Sequence, residues 1–272
     1  MVSSDRVPTP ERADANVLWE VLEALVSKVA EGAPGRLAVC GVGCGGPMAP
    51  GGEHVSPLNI PGWRGFPLRS RLSELTGLPT YVANDAQAFA LAEGWRGAAV
   101  GKRDFIGMVV STGVGGGVVL DGRLLEGRLG NAGHIGHLVV EPTGRPCRCG
   151  SRGCLEAEAS GSAIAEIAGR PAAEATSALV ERTGTLVGRA IAAVATLLDL
   201  DLAVVAGSVA LGFGAPFFES GGRELSERTH LTFASGCRMV PASLGADGPT
   251  VGAGAVGWRG LAADGLGPPW PT

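Results

Sequence analysis

The segment His134-Ile-Gly-His137-Leu-Val-Val-Glu-Pro-Thr-Gly-Arg-Pro-Cys147-Arg-Cys149-Gly-Ser-Arg-Gly-Cys154-Leu-Glu156 holds three of the six cysteines of the chain. His137 lies ten positions before Cys147. Three thiolates and one imidazole form a complete tetrahedral set for Zn²⁺, and a closed four-ligand site marks a structural rather than a catalytic metal. The glycines and Pro146 allow a short loop to turn all four donors, His137, Cys147, Cys149 and Cys154, toward one ion. The alternative is three unconnected thiols beside an unrelated histidine. The dense, turn-rich pattern Cys-x-Cys-Gly-x-x-Gly-Cys favours the metal. A disulfide fits less well, because Cys147 and Cys149 are too close for an unstrained bridge and nothing marks the chain as secreted. A metal here would fix both flanks, His134 before the knot and Glu156 after it. A binding site is therefore expected beside it.

Beyond this segment, the 272 residues fit one large or two modest domains. A hydrophobic fraction of 45% is enough for a core. No run is long and apolar enough to span a membrane, and Met1 to Pro8 lacks the apolar region of a signal peptide. A cytoplasmic location is expected, where reduced thiols suit a metal. The net charge of −4 comes from interspersed acids and bases. No basic face is visible, so no nucleic-acid partner is expected. The 45 glycines cluster between apolar runs, which indicates many tight loops.

Thr9-Pro10-Glu11 reads as a helix start, with Thr9 as cap and Pro10 at the first helical position. Val17, Leu18, Val21, Leu22, Leu25, Val26 and Val29 continue at helical period, and Gly32 to Gly35 ends the run. Leu37 to Val42 reads as a buried strand opening into a glycine-rich loop over 43–47. Leu68 to Leu75 is a predicted helix and Thr80 to Ala83 a strand. Asn84-Asp85 comes next, then a helix over Ala86 to Trp95. Asp85 thus sits at the carboxyl end of a strand, where open α/β sheets bind ligands. Its alternative reading is a helix N-cap.

Phe105 to Val110 and Gly117 to Leu125 are predicted strands. Between them Ser111-Thr112-Gly113-Val-Gly115-Gly116-Gly117 reads as a hairpin tip whose backbone N–H groups could cradle an anion. It lacks the Gly-Lys-Ser/Thr ending of a Walker loop and opens no helix, so it is not a dinucleotide fingerprint. Helices are predicted over 155–168 and 176–198, a strand from Leu202 ending at Gly207-Ser208, and a helix over 217–229. A short strand is predicted at Arg238, then a small-residue helix from Gly252 to Leu261. Strands alternate with helices, so the class is α/β.

With these pieces in order, the chain resembles the ROK family from about Pro8 to Trp258. That family includes bacterial glucokinases, fructokinases, N-acetylmannosamine kinases and sugar-responsive repressors. Gly133 to His137 with Cys147 to Glu156 is similar to its zinc signature. Asn84-Asp85-Ala86 looks like its Asn-Asp-Ala catalytic segment, and Ser111 to Gly117 like its second phosphate loop. Gly207-Ser208-Val209 falls where the family has adenosine-binding glycines. Leu58 to Trp63 matches a loop near the sugar site.

The resemblance implies an actin-like, ribonuclease H-like fold of two lobes around a cleft. Residues 1–85 would form the smaller lobe, with a helix at about 252–264 packing back on it, and 86–251 the larger. It also implies ATP-dependent phosphorylation of a hexose, glucose by default, at the 6-hydroxyl, with Mg²⁺ accompanying ATP and zinc structural. A sugar hydroxyl is a poor nucleophile and needs a carboxylate to accept its proton, the role implied for Asp85. Gly46, Asn84, His134, His137 and Glu156 would contact the sugar. Ser111, Thr112, Gly113, Gly115, Gly116, Gly207 and Ser208 would hold the nucleotide. Lobe closure would exclude water. Dimers or tetramers are expected.

Two departures from the family stand out. The family begins with a hairpin carrying Asp-x-Gly-Gly-Thr that grips phosphate, and Val2 to Pro10 is similar to the strand and helix start that come after that hairpin. An incomplete first lobe and weak or absent phosphoryl transfer are therefore expected of the chain as written. The alternative function is a catalytically impaired, sugar-binding regulator. Second, His134 stands where the family has a sugar-binding Glu. A neutral imidazole accepts one hydrogen bond and donates one, whereas a carboxylate only accepts, so sugar preference would differ.

Overall fold

The computed structural model describes residues 3–10 and 13–267. Two parallel strands, β1 (Cys40–Cys44) and β2 (Thr80–Asn84), pair in register from Cys40 with Thr80 to Cys44 with Asn84. Helix α1 (Ala15–Glu31) precedes them and α2 (Leu68–Thr76) lies between them in the chain. Leu18, Trp19, Val55, Trp63, Phe66, Leu68 and Leu72 form their core, with Trp63 stacked on Phe66 at 4.4 Å between ring centroids.

The first helix starts later than the sequence predicts. Its cap is Asp14, whose carboxylate accepts the Asn16 and Val17 amides, while Thr9 and Pro10 are not helical. Aspartate caps as well as threonine, and this start brings Leu18 and Trp19 onto the core. Glu11 lies outside the described residues.

A five-stranded sheet has the order β5-β4-β3-β6-β7. Its strands are β3 (Phe105–Val110), β4 (Val114–Leu120), β5 (Arg123–Leu124), β6 (Leu202–Ala206) and β7 (Arg238–Pro241). The first three are antiparallel neighbours, and β6 and β7 run parallel to β3. Helix α3 (Asp85–Arg96) leads from β2 toward this sheet. After the cysteine segment come α4 (Leu155–Ala159), α5 (Gly161–Ala168), α6 (Ser177–Leu198), α7 (Ser208–Phe213), α8 (Ala215–Arg228) and α9 (Gly248–Ala263). The predicted helix over 155–168 is in fact two, because Ser160 adopts extended backbone and caps α5.

The main core packs Ile106, Met108 and Val205 of this sheet against Leu155, Ile164, Ile191 and Phe217 of the helices. Each such burial contributes about 1.5–3 kcal/mol. Glu224 ties α8 to α6 through Arg189 at 2.9 Å. Helix α9 returns to β1, where Gly41 is indispensable: a methyl there would fall 1.9 Å from the Ala253 carbonyl. The architecture is α/β, with two sheets joined through α3 and α9. No helix among the described residues is long and apolar enough to cross a membrane.

Candidate functional site

The β2–α3 junction sets the first group of side chains. Asn84 Oδ1 accepts the Ala86 amide at 3.0 Å, and Gln87 Oε1 accepts the Asn84 amide at 3.3 Å, a reciprocal capping box. Asn84 is therefore the helix cap, and Asp85 is the first helical residue. Asp85 Oδ1 accepts the Ala86 amide at 2.8 Å, and the side chain is exposed. Oδ2 faces the loop after β1: a methyl on Gly45 would sit 3.9 Å from it and 3.2 Å from Asn59 Oδ1. A methyl on Gly46 would sit 3.1 Å from Asn84 Nδ2. Burial, and then the Asp85 charge, push the neighbouring Cys44 thiol up to about 11, so it stays protonated at neutral pH.

Gln87 has a second task. Its Nε2 donates to the Gly130 and Ala132 carbonyls at 3.3 and 3.0 Å, holding the loop that leads to His134. Asn131 fastens the same loop to the segment after β1, through the Met48 amide at 3.4 Å and carbonyl at 3.2 Å. Sequence reasoning missed both residues. The Asn-x-x-Gln cap spacing was the available signal for Gln87; Asn131 had none.

The glycine hairpin is tighter than predicted. Strand pairing extends to Val110 with Val114, and the tip is Ser111 to Gly113. Gly115, Gly116 and Gly117 are strand residues opposite Val109, Met108 and Gly107. Gly115 and Gly117 lack side chains on the face where α3 packs, a methyl on Gly117 falling 2.7 Å from the Gln87 Cα; Gly116 faces the other way, where a methyl would lie 3.0 Å from Ile135 Cγ2 and 3.1 Å from the Gly133 carbonyl. The tip is anchored on two sides. Ser111 Oγ lies 2.9 Å from Ser208 Oγ, at the start of α7 after Gly207. From α5, Gly161 N donates to the Ser111 carbonyl at 2.7 Å, and Ser162 donates to the Thr112 carbonyl through N at 3.3 Å and Oγ at 3.0 Å. Glu156 Oε2 accepts the Val114 amide at 2.9 Å.

The cysteine segment converges as its spacing predicts. One ligand atom each from His137, Cys147, Cys149 and Cys154 lies within 4.8 Å of every other. His137 Nδ1 is 3.6 Å from Cys147 Sγ, and Cys149 Sγ is 3.7 Å from Cys154 Sγ. Tetrahedral zinc bonds set N···S and S···S edges of about 3.6 and 3.8 Å, so the cluster fits that ion. No disulfide forms among the six cysteines. With Nδ1 turned to the thiols, Nε2 is on the outer edge of an exposed ring. His134 is outside the four-residue group, its ring centroid 6.2 Å from that of His137. The loop is braced by Glu158, whose buried carboxylate accepts the Arg145 amide and pairs with Arg182, both at 2.5 Å.

The segments that carry these groups pack against Val114 and Gly115. A methyl on Gly115 would touch Ala86 Cβ at 3.2 Å, and one on Gly136 would fall 2.2 Å from the Val114 carbonyl. Ala86, next to Asp85, and Gly136, next to His137, thus pack on the same short piece of backbone whose Val114 amide Glu156 accepts. The site is open, since Asp85, Thr112, His134, His137 and Ser208 are all exposed. A hollow of about 220 Å³ beside Arg69, Tyr81 and Arg259 shares Met48, Gln87 and Gly130 with the loop supports, and one of about 530 Å³ shares Arg145 and Glu158 with the cysteine loop, but neither is lined by Asp85, His134, His137 or Glu156.

The sequence profile of the ROK family matches residues 1–258. The chain belongs to the ROK family. Among ROK relatives, an N-acetylmannosamine kinase of Citrobacter koseri is 41% identical over 226 residues, covering 76% of each chain. A ROK hexokinase from Thermus thermophilus superposes with a TM-score of 0.82 at 33% identity, over 96% of this chain and 91% of that one. A ROK glucokinase from Streptomyces griseus, solved with glucose and AMPPNP, gives 0.76 at 27% identity, over 92% and 90%. The fold is the actin-like α/β fold of these ROK kinases.

Proposed function

We propose that this chain transfers the γ-phosphoryl group of ATP to a hydroxyl of a hexose, the 6-hydroxyl being the acceptor, with Asp85 as general base. The observation that carries this is the division of labour within Asp85. One oxygen is fixed by the Ala86 amide at 2.8 Å, and the other faces the open loop at Gly45 and Asn59. A carboxylate held in this way keeps its free oxygen aimed at a bound hydroxyl, which it deprotonates as attack proceeds. Asn84 has spent its oxygen on the cap and acts through Nδ2, as a donor to the sugar. The Ser111–Gly113 tip, steadied from α5 and α7, presents amides to phosphate, with Gly207 and Ser208 beside it. Mg²⁺ accompanying ATP would supply the neutralisation of phosphate charge.

His137 Nδ1 and the three thiolates would hold zinc as a structural ion. That leaves His137 Nε2 for a sugar hydroxyl. The acting cleft lies between residues 1–85, joined by α9, and residues 86–251.

The preferred sugar is an N-acylated hexosamine rather than the default glucose. His134 supports this, because an imidazole N–H can donate to an acetamido carbonyl, which the carboxylate of a Glu would repel. The name of the Citrobacter koseri relative points the same way.

An ADP-release assay with ATP·Mg²⁺ over N-acetylmannosamine, N-acetylglucosamine, mannose and glucose tests the reading. Turnover highest with an N-acetylated hexose is expected. Hexose binding without turnover on any sugar would contradict it and favour the non-catalytic regulator.

A further inference from the structure

Gln87 serves two separate parts of the site with one buried amide. Its Oε1 accepts the Asn84 amide at 3.3 Å at the end of β2, which leaves Nε2 to donate to the Gly130 and Ala132 carbonyls at 3.3 and 3.0 Å. The loop that Gln87 holds has little support of its own. Gly127, Gly130 and Gly133 take positive φ, at +73°, +76° and +102°, and bring no side chain to pack. Leu125 and Leu129 are exposed and give no apolar anchor. The hollow of about 220 Å³ is lined by Gln87, Glu126 and Gly130, so packing does not fill the space beside the loop. Two further side-chain ties are weaker in kind: the partly exposed Glu126–Arg259 pair at 2.9 Å, and the long bonds of Asn131 to Met48 at 3.4 and 3.2 Å. At the far end Gly133 rests on β4, where a methyl would fall 2.3 Å from the Gly116 carbonyl, and His134 follows. The chain thus reaches His134 along a path set by β4 on one side and by Ala132, held by Gln87, on the other.

We propose that Gln87 is a positioning residue for hexose choice, because its amide sets the span between the Asn84–Asp85 contacts and His134. This rests on the sugar-kinase reading of the site, and within it on His134 facing an acetamido group. One end of the amide holds Asn84, and the other holds Ala132, two residues before His134. Asn84 and Asp85 meet hydroxyls that all the candidate hexoses share. The substituent that separates an N-acetylated hexose from glucose falls to His134. Displacing the loop therefore costs the N-acetylated sugar its own contact, while glucose loses less. Only a side chain that accepts at one end and donates at the other performs both tasks. Gln87→Glu still accepts the Asn84 amide, but its second oxygen faces two carbonyl oxygens and repels the loop. Gln87→Met keeps the length and loses both bonds.

Calorimetric titration of the full chain with N-acetylmannosamine and with glucose gives the ratio of their affinities, whether or not turnover occurs. The native chain is expected to favour N-acetylmannosamine. In Gln87→Glu the ratio should fall by about fivefold or more, the size of a coupling between groups in one network. Most of that fall should come from the N-acetylmannosamine affinity. Gln87→Met should move the ratio the same way, and supplies the reading where the acidic variant folds poorly. In a His134→Ala background, Gln87→Glu should leave the ratio where it stands, because the loop then carries no group that tells the two sugars apart. An unchanged ratio in both Gln87 variants, an equal loss for both sugars, or the same shift with the His134 ring already removed overturns the assignment of Gln87 alone. Absence of hexose heat from the native chain, or a native preference for glucose, overturns the reading of the sugar site and this proposal with it.

Discussion

Glu93 Oε2 accepts the backbone amide of Ser243 at 3.3 Å across 150 residues of sequence. The side chain is wholly buried and has no cationic partner among the described residues. It also accepts the Ala98 amide at 2.7 Å, the Ser243 hydroxyl at 3.4 Å and the Leu244 amide at 3.3 Å. Glu93 thereby rivets α3, which begins with Asp85, to the turn that precedes α9. Both helices join the two sheets, so the rivet sets how the sheets face each other.

Removing that acceptor leaves several buried donors without a partner. Glu93→Ala is expected to cost about 3 kcal/mol or more, since each orphaned group carries about 1–3 kcal/mol. Glu93→Gln should also be destabilised, because its NH₂ meets N–H donors. Urea unfolding midpoints measure both, and an unchanged midpoint in Glu93→Ala would rule out the rivet.

Gly153 controls the knot. Its φ is +68°, and a methyl would lie 1.6 Å from the Glu141 carbonyl, a backbone atom that cannot swing away. Its own carbonyl accepts the Val140 amide at 2.9 Å. Gly153→Ala should lower zinc content well below one ion per chain, measured by elemental analysis of purified protein. If zinc fills the knot, stripping it with a chelator should weaken hexose binding about tenfold, because the proposed function assigns His137 to both sites. Hexose affinity unmoved by complete zinc removal would detach the knot from the sugar site.

His134→Glu tests sugar choice. If His134 donates to an acetamido carbonyl as proposed, substituting a pure acceptor should lower kcat/KM for N-acetylmannosamine by about tenfold to a hundredfold, while glucose gains relative to it. Specificity constants for the two sugars give the answer. A drop shared equally by both would point to a general role for His134.

The parts of this site that were legible in the sequence are those made by near neighbours. Cys147, Cys149 and Cys154 sit within eight positions, so their convergence on His137 needs only a turn. The β2–α3 junction was legible too, although the cap proved to be Asn84 with Asp85 one step inside. Gly115 and Gly116 belong to β4 rather than to a loop: glycine runs signal loops, whereas here bare Gly115 and Gly117 let α3 lie on one face of β4 and bare Gly116 admits the Gly133–Ile135 segment on the other. Pro10 misled about α1, since proline permits a helix start but does not compel one. Bonds from Glu156 to Val114, Asn131 to Met48 and Glu93 to Ser243 link distant stretches, and no local pattern encodes such partners.

The kinase reading stands on the free oxygen of Asp85, and Asp85→Asn tests it most directly. The substitution keeps size and the bond to the Ala86 amide but removes the base. Single-turnover phosphorylation of the preferred hexose should slow by about 10²–10⁴-fold, with hexose affinity changed only a few-fold. Phosphorylation by Asp85→Asn at a rate near that of the native chain would contradict the assignment.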